Sequence, residues 1–315
     1  MSGEAPLGSV FSSVEDVRER LERERYISSR QICTTLFLAD RMGKPVLVEG
    51  PAGVGKTELA KVLAQALGLE LIRLQCYEGL DESKALYEWE YAKQLLYTQI
   101  LKEKIGEVLA DCGSLGDAVA RISDQEEVFF SKGFLLPRPL LKAILSEAPT
   151  VLLVDEVDKS DPEFEAFLLE LLSDFQVSVP ELGTLRARHI PRVVLTSNSS
   201  REMTDTLRRR CLHLHIDYPD LEQERRIVMA KVPDISQRLA TQVVTFVKQL
   251  RTLDIKKHPS ISETLDWARA LIVLHAEDLD PQLVRDTLNL ILKHEGDIQK
   301  AQGELDRMVI QARSN

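Results

Sequence analysis

The sequence predicts an α/β fold: a phosphate-loop core whose parallel sheet is flanked by helices, followed by an all-α C-terminal region. Three observations carry that prediction. Gly50-Pro51-Ala52-Gly53-Val54-Gly55-Lys56-Thr57 fits the pattern G-x-x-x-x-G-K-[ST]. It lies between an apolar, strand-like run, Pro45 to Glu49, and a stretch with Leu59, Leu63 and Leu67 four residues apart, as in a helix packed on a sheet. Further short apolar runs, Thr150 to Val154, Arg192 to Thr196 and Leu212 to Ile216, read as strands of a buried sheet. Strand-like runs then stop at Tyr218-Pro219. Helical stretches at about 220–231, 235–253, 261–276 and 281–314, the last interrupted near Gly296, fill the remainder. The expected organisation is a nucleotide-binding α/β domain over 1–216 and a helical domain over 217–315.

Taken in order, Ser13-Val14-Glu15-Asp16 is a capping signal for a charged helix reaching about Arg25. A second helix, Ser28 to Arg41, leads into the strand before the glycine loop, and Leu69 to Leu74 reads as the next strand. The stretch from Tyr77 to about Pro137 exceeds what a minimal nucleotide-binding core needs and reads as an insertion over 77–137. Its first part, Asp81 to Leu109, carries Leu101, Ile105, Val108 and Leu109 at helical spacing; its tail places strand-like Glu127 to Phe130 and Phe134 to Leu136 around Ser131-Lys132-Gly133. Two helices and a short β-ribbon are expected there. A helix from Asp161 to Leu172 follows the strand at 150, and Pro180-Glu181-Leu182-Gly183 marks the turn of a hairpin.

Composition narrows the function. The chain has 315 residues, 44% hydrophobic and 29% charged, enough for a sizeable core. No apolar run approaches the roughly 18 residues of a membrane span, and Met1 to Ser13 lacks the pattern of a secretory signal, so a cytoplasmic protein is expected. Cys33, Cys76, Cys112 and Cys211 are scattered without a C-x-x-C pair, which favours buried thiols in a reducing compartment over disulfides or zinc. His213 and His215 alternate along a strand; two residues on one strand face is the commoner reading, a metal pair the other. A net charge of −10 discourages general affinity for nucleic acid.

Cleaving a γ-phosphate requires a cradle, a metal, an oriented water and compensation for charge on the transferring group. The loop Gly50, Pro51, Ala52, Gly53, Val54 and Gly55 supplies the cradle through the backbone N–H groups that all but the proline carry, with the helix N-terminus behind them. Lys56 reaches the β- and γ-phosphates and the Thr57 hydroxyl ligates Mg²⁺. Asp155 and Glu156 end an apolar strand, where two carboxylates are costly unless a cation or a catalytic task awaits them. Asp155 then holds Mg²⁺ alongside Thr57, and Glu156 polarises the attacking water as general base; a solvated loop start is the competing reading. Asn198, two residues past Thr196, is placed to bond the γ-phosphate or that water, although the Ser197-Asn198-Ser199-Ser200 setting also suits a turn. Arg208-Arg209-Arg210 at a strand entry can be a solvated face or a nucleic-acid contact. A planar guanidinium also suits a transferring phosphoryl group in a neighbouring subunit, with Arg210 favoured for that task over Arg209.

The ordered set GPAGVGKT, VLLVDEVD, VVLTSN and LRRRC resembles the AAA+ ATPases over about residues 27 to 216, with the helical remainder similar to their C-terminal lid. The insertion after the second strand and the stretch DFQVSVPELGTLRA look like the MoxR type. ELLSDFQVSVPELG, TSNSSREMTDTLRRRC and PSISETLDWARAL look like its branch that works with von Willebrand A-domain proteins, the CoxD-like factors among them. The resemblance implies ATP as the nucleotide, since a phosphate loop reads phosphates and not bases. It also implies Gly50 to Thr57 as Walker A, Asp155 and Glu156 as Walker B, Asn198 as sensor 1 and Arg210 as an arginine finger acting in trans within a homo-oligomeric ring, usually a hexamer. The implied activity is ATP hydrolysis driving the remodelling or maturation of a client or adaptor protein. One departure stands out. Where many relatives carry a sensor 2 arginine in Ser-Pro-Arg, this chain has Ser262-Glu263-Thr264, with Arg269 about a turn and a half further on. Two other readings stay open: a clamp-loader-like motor on nucleic acid, because LRRRC is similar to a Ser-Arg-Cys finger, and a nucleotide-binding scaffold with little turnover.

Overall fold

Short runs of valine and leucine with no polar face become strands that are covered on both sides. The computed structural model describes residues 10–100, 114, 132–180 and 182–314. In chain order the strands are β1 (Val46–Glu49), β2 (Glu70–Gln75), β3 (Tyr87–Trp89), β4 (Leu135–Pro137), β5 (Thr150–Asp155), β6 (Gln176–Val179), β7 (Gly183–Arg186), β8 (Arg192–Ser197) and β9 (Leu212–His215). Five of them form a parallel sheet in the order β2-β5-β8-β1-β9, while β3-β4 and β6-β7 are antiparallel ribbons. Among the described residues, those up to Leu69, Thr196–Ser200 and Cys211 onward make one compact unit; Glu70–Leu195 and Arg201–Arg210 make the other.

In the first unit, Ser13 opens the helix Val14–Arg23 by accepting the Asp16 N–H, and Ser29 opens Arg30–Met42 by accepting that of Ile32. β1 pairs with β9 from Val46↔Leu212 to Glu49↔His215, and the helix Lys56–Leu67 follows the glycine loop. The C-terminal part holds the helices Leu221–Lys231, Gln237–Leu250, Ile261–Val273, Pro281–Ile291 and Glu295–Ser314. Asp220, Ser236, Ser260 and Asp280 precede the first four as caps. Their apolar stripes close on Phe246, Trp267, Leu271, Leu288, Leu305 and Val309. Trp267 is fully buried, so its indole N–H needs a partner, and it donates to Thr287 Oγ1 at 2.9 Å. A buried ion pair also sits here: Arg251 donates to both Glu224 oxygens, at 2.6 and 2.8 Å. Thr264 Oγ1 donates to the same carboxylate at 3.0 Å, and the guanidinium lies 4.7 Å from the Tyr218 ring centroid. Such a pair tolerates burial because its hydrogen-bonding capacity is met from several sides.

In the second unit β5 is buried along its whole length, flanked by β2 with Gln75 opposite Asp155 and by β8 with Leu195 opposite Val154. The helix Pro139–Leu145 buries Leu140, Leu141, Ala143 and Ile144, and Pro139 occupies its first turn, where a missing N–H costs nothing. The helix Pro162–Asp174 runs into the β6-β7 hairpin.

Several local expectations change. β4 pairs with Tyr87–Trp89, a segment whose sequence suggested part of a helical stretch; a three-residue strand is too short to show a period. The stretches Leu101 to Leu109 and Glu127 to Phe130 lie outside the described residues. Helices cover Glu82–Ala85 and Tyr91–Ile100, and the helix Pro139–Leu145 has no counterpart in the sequence reading. Arg208, Arg209 and Arg210 precede β9 as expected and belong to a short helix, Asp205–Arg210, that the sequence reading did not include. The last helical stretch breaks at Leu292–His294, with Gly296 inside the first turn of the following helix. No helix of the described residues is long and apolar enough to cross a membrane.

Candidate functional site

The glycine loop owes its path to residues without side chains. Gly50 has φ +149°, and a Cβ there would lie 1.9 Å from the Ile216 carbonyl oxygen, so no other residue fits unless the backbone moves. Gly53, at φ +76°, approaches the N-terminal cap of the helix Ile261–Val273: a Cβ on it would lie 2.4 Å from Ser260 Cβ. That cap is a capping box, in which the Glu263 carboxylate accepts the Ser260 N–H at 2.9 Å. Glu263 therefore serves the helix end.

Lys56 begins the helix behind the loop and is only 6% exposed. Its ammonium donates to the carbonyl oxygens of Gly50 at 2.7 Å and Pro51 at 2.6 Å, and to Asn198 Oδ1 at 2.8 Å. The two residues are 142 positions apart, and the contact brings Asn198 to the phosphate loop. These three acceptors are neutral dipoles at the helix N-terminus, a setting that suits an arriving anion.

Beside the loop lies a cavity of about 600 Å³, within the range of small-molecule and cofactor sites. Gly53, Val54 and Gly55 form one wall; Tyr26, Ile27, Ile216, Ile227 and Leu265 supply apolar surface. Glu58 and Lys231, paired at 2.8 Å, and Arg269 add charge. Burial, reinforced by the Glu58 charge, pushes the Tyr26 phenol upward, so it stays a neutral wall residue. Arg269 reaches the cavity although the sequence comparison set it aside. Ile261, Ser262, Leu265 and Arg269 are spaced to share one helix face, the signal that could have found it. His213 bonds the Glu49 carboxylate and His215 lines the cavity.

In the other unit, the two acids end β5. Asp155 is 2% exposed, and Glu156 adopts a left-handed conformation, φ +57°, that non-glycine residues seldom take. Arg73 donates to Asp155 Oδ2 from Nε at 3.1 Å and from Nη2 at 2.5 Å. Gln75 Nε2 donates to Glu156 Oε2 at 2.8 Å, and Lys159 Nζ to the same oxygen at 2.6 Å. Arg73, Gln75 and Lys159 were missed by sequence reasoning. The signal was the polar pair at alternate positions of an otherwise apolar strand, Ile72-Arg73-Leu74-Gln75. A nearly inaccessible carboxylate held by a guanidinium is a site that demands a cation, and in that sense Asp155 fits a divalent metal. Arg210 donates from Nη1 to the Leu169 carbonyl at 2.7 Å and is otherwise exposed on its short helix.

A family model for the AAA domain (dynein-related subfamily) matches residues 45–211, over half of the chain and all of the motif residues just described. Uncharacterized proteins of Staphylococcus aureus strains USA300 and NCTC 8325 are 24% identical over 241 residues, covering 74% of this chain and 77% of theirs. Among solved structures, the Thermotoga maritima RuvB Holliday junction branch migration motor is 16% identical with a TM-score of 0.45, covering 87% of this chain and 69% of that one. A point mutant of it has a TM-score of 0.47 at 16% identity, over 91% and 73% of the two chains.

Proposed function

We propose that this chain, which belongs to the AAA domain family of the dynein-related subfamily, hydrolyses ATP and uses the cycle, as a MoxR-type ring, to remodel or mature a partner protein. The observation that carries the nucleotide part is the buried Lys56, held by two loop carbonyls and Asn198 beside a cavity of nucleotide size. In this reading the loop N–H groups and Lys56 take the phosphates, and Thr57 and Asp155 would hold Mg²⁺, which would supply charge neutralisation. Glu156 accepts a proton as water oxygen bonds to the γ-phosphorus and the bond to the β–γ bridging oxygen breaks, leaving ADP and phosphate. Asn198 orients the γ-phosphate or the water, and Arg210 from a neighbouring copy meets the charge on the transferring group. Division at residue 217 into nucleotide-binding domain and lid, a hexameric ring, and a client or adaptor with a von Willebrand A domain belong to the same proposal. Residence in a reducing cytoplasm does too, and it suits the buried thiols of Cys33, Cys76 and Cys211.

The test is steady-state phosphate release from ATP, first with the wild type and then with mixtures of inactive subunits. Arg210→Ala and Glu156→Gln proteins, each silent alone, should regain turnover when combined, because a mixed interface pairs an intact finger with an intact base. A mixing titration that stays flat removes the intersubunit finger. A wild type that binds ATP without releasing phosphate favours the scaffold reading.

A further inference from the structure

We propose that Arg73 is a resident counter-ion for Asp155, neutralising it until a divalent metal arrives, and that Gln75 couples this exchange to the orientation of Glu156. The inference rests on the nucleotide-hydrolysing reading above and assigns residues that reading leaves out. Asp155 ends a strand buried along its whole length, a position at which a carboxylate calls for a charged partner. Arg73 supplies one, but in a displaceable form. Both of its donors go to the single oxygen Oδ2, not one to each oxygen as in the strong fork-to-fork geometry. The arginine side chain is also 45% exposed, against 2% for Asp155. A guanidinium with that much access to solvent gives up the contact at small cost, and a doubly charged ion is the stronger claimant for a carboxylate.

The second half of the argument is the bond that Arg73 shares. Its Nη2 donates to Gln75 Oε1 as well as to Asp155. The other end of the same amide donates to Glu156 Oε2. Register explains why one glutamine spans both: Gln75 stands directly opposite Asp155, and Arg73 is two residues earlier on the same face. Glu156 turns back toward this group through its left-handed backbone, with Lys159 on the same oxygen. When the guanidinium leaves Asp155, Gln75 loses a donor on one side of its amide and becomes free to reorient. One of the bonds that hold the predicted base is thereby tied to occupancy of the predicted metal acid. Arg73 and Gln75 are positioning residues in this scheme, since neither reaches the reacting atoms.

The test uses the full chain and a fluorescent N-methylanthraniloyl-ADP probe. Binding is measured first in EDTA and then across a Mg²⁺ titration, for wild type, Arg73→Met and Arg73→Lys. Affinity in EDTA should stay within about twofold in all three, and the Mg²⁺ concentration giving half of the metal-dependent gain should fall about tenfold in Arg73→Met, about 1.4 kcal/mol of relieved competition. Arg73→Lys, which keeps the charge, should remain within about threefold of wild type on the same scale. A merely structural arginine would not move the metal midpoint while sparing metal-free binding. An unchanged or raised midpoint in Arg73→Met overturns the proposal. If the methionine variant does not fold, Arg73→Gln, which keeps a donor but no charge, carries the same expectation and the same refutation. A wild type that ignores the probe with and without Mg²⁺ sinks the proposed function and this inference together. A wild type that responds to Mg²⁺ while the variant keeps its midpoint sinks this inference alone.

Discussion

Lys56 and Asp155 are both nearly inaccessible charges, 6% and 2% exposed, and the protein satisfies them in opposite ways. The lysine donates to neutral carbonyl and amide oxygens, whose dipoles stabilise an ammonium. The aspartate is held by a guanidinium, which cancels its charge. In the proposed reading the loop lysine takes an anion directly, whereas the acid at the end of β5 exchanges a guanidinium for a metal. On that reading the two sites differ in the type of partner and not in burial, which is similar at the two positions.

Four experiments break or sharpen this contrast. The largest effect belongs to Glu156→Gln: turnover should drop about 100- to 10,000-fold, the span ascribed to a positioned base, with nucleotide affinity little changed. Phosphate release near the wild-type rate in that variant would remove the base from Glu156. Lys56→Ala comes next, with an expected loss of about 100-fold in nucleotide affinity, the scale of charge-assisted bonds to phosphate. Circular dichroism should show the fold intact, and tight binding by the alanine protein would shift the credit to the loop backbone. Gly50→Ala tests the cradle itself: a methyl aimed at a main-chain oxygen cannot be accommodated by a rotamer change, so denaturant melts should show a loss of about 2 kcal/mol or more. Unchanged stability would mean that the strand end at Ile216 yields.

The smallest effect is a pH dependence that both units share. Burial pushes the Cys76 thiol up to about 12, with Asp155 adding to the shift, and burial pushes Cys211 up to about 12 as well. A thiol kept neutral in the folded state contributes nothing to the pH dependence below the unfolded value near 9. Above it, the unfolded chain gains by ionising and the folded chain does not. Stability should therefore fall between about pH 9 and pH 12, by roughly 1 kcal/mol per thiol at pH 10. Urea melts at pH 8 and 10, repeated with Cys76→Ala, check this; a slope untouched by the substitution would assign the loss to other groups.

The phosphate loop was legible because its pattern, its preceding strand and its following helix occupy consecutive residues, so local rules sufficed. The sheet strands were legible for the same reason: Val151 to Val154 and Val193 to Leu195 declare a covered strand by composition alone. The ion pairs around Asp155 and Glu156 were not, because Arg73 and Gln75 meet the acids only through strand register, across about eighty positions of chain. The partner of β4 escaped for a similar reason, since β3 lies toward the other end of the same insertion. Arg208 to Arg210 precede β9 as expected, but their helix went unread because six residues offer too few turns for a hydrophobic stripe. Arg269 was visible as a residue, but only the helix face it shares with Ser262 and Leu265 reveals that it lines the cavity.

The chain carries two tryptophans, and they fall one in each unit: Trp89 in the β3-β4 ribbon at 8% exposure, and Trp267 fully buried on the helix that lends Leu265 and Arg269 to the cavity. Each therefore gives its region a private optical signal. Replacing Trp89 with Phe leaves emission that reports the helical core alone, and replacing Trp267 with Phe leaves emission from the ribbon alone. Stopped-flow mixing with nucleotide can then time the two parts of the molecule separately, with no dye attached.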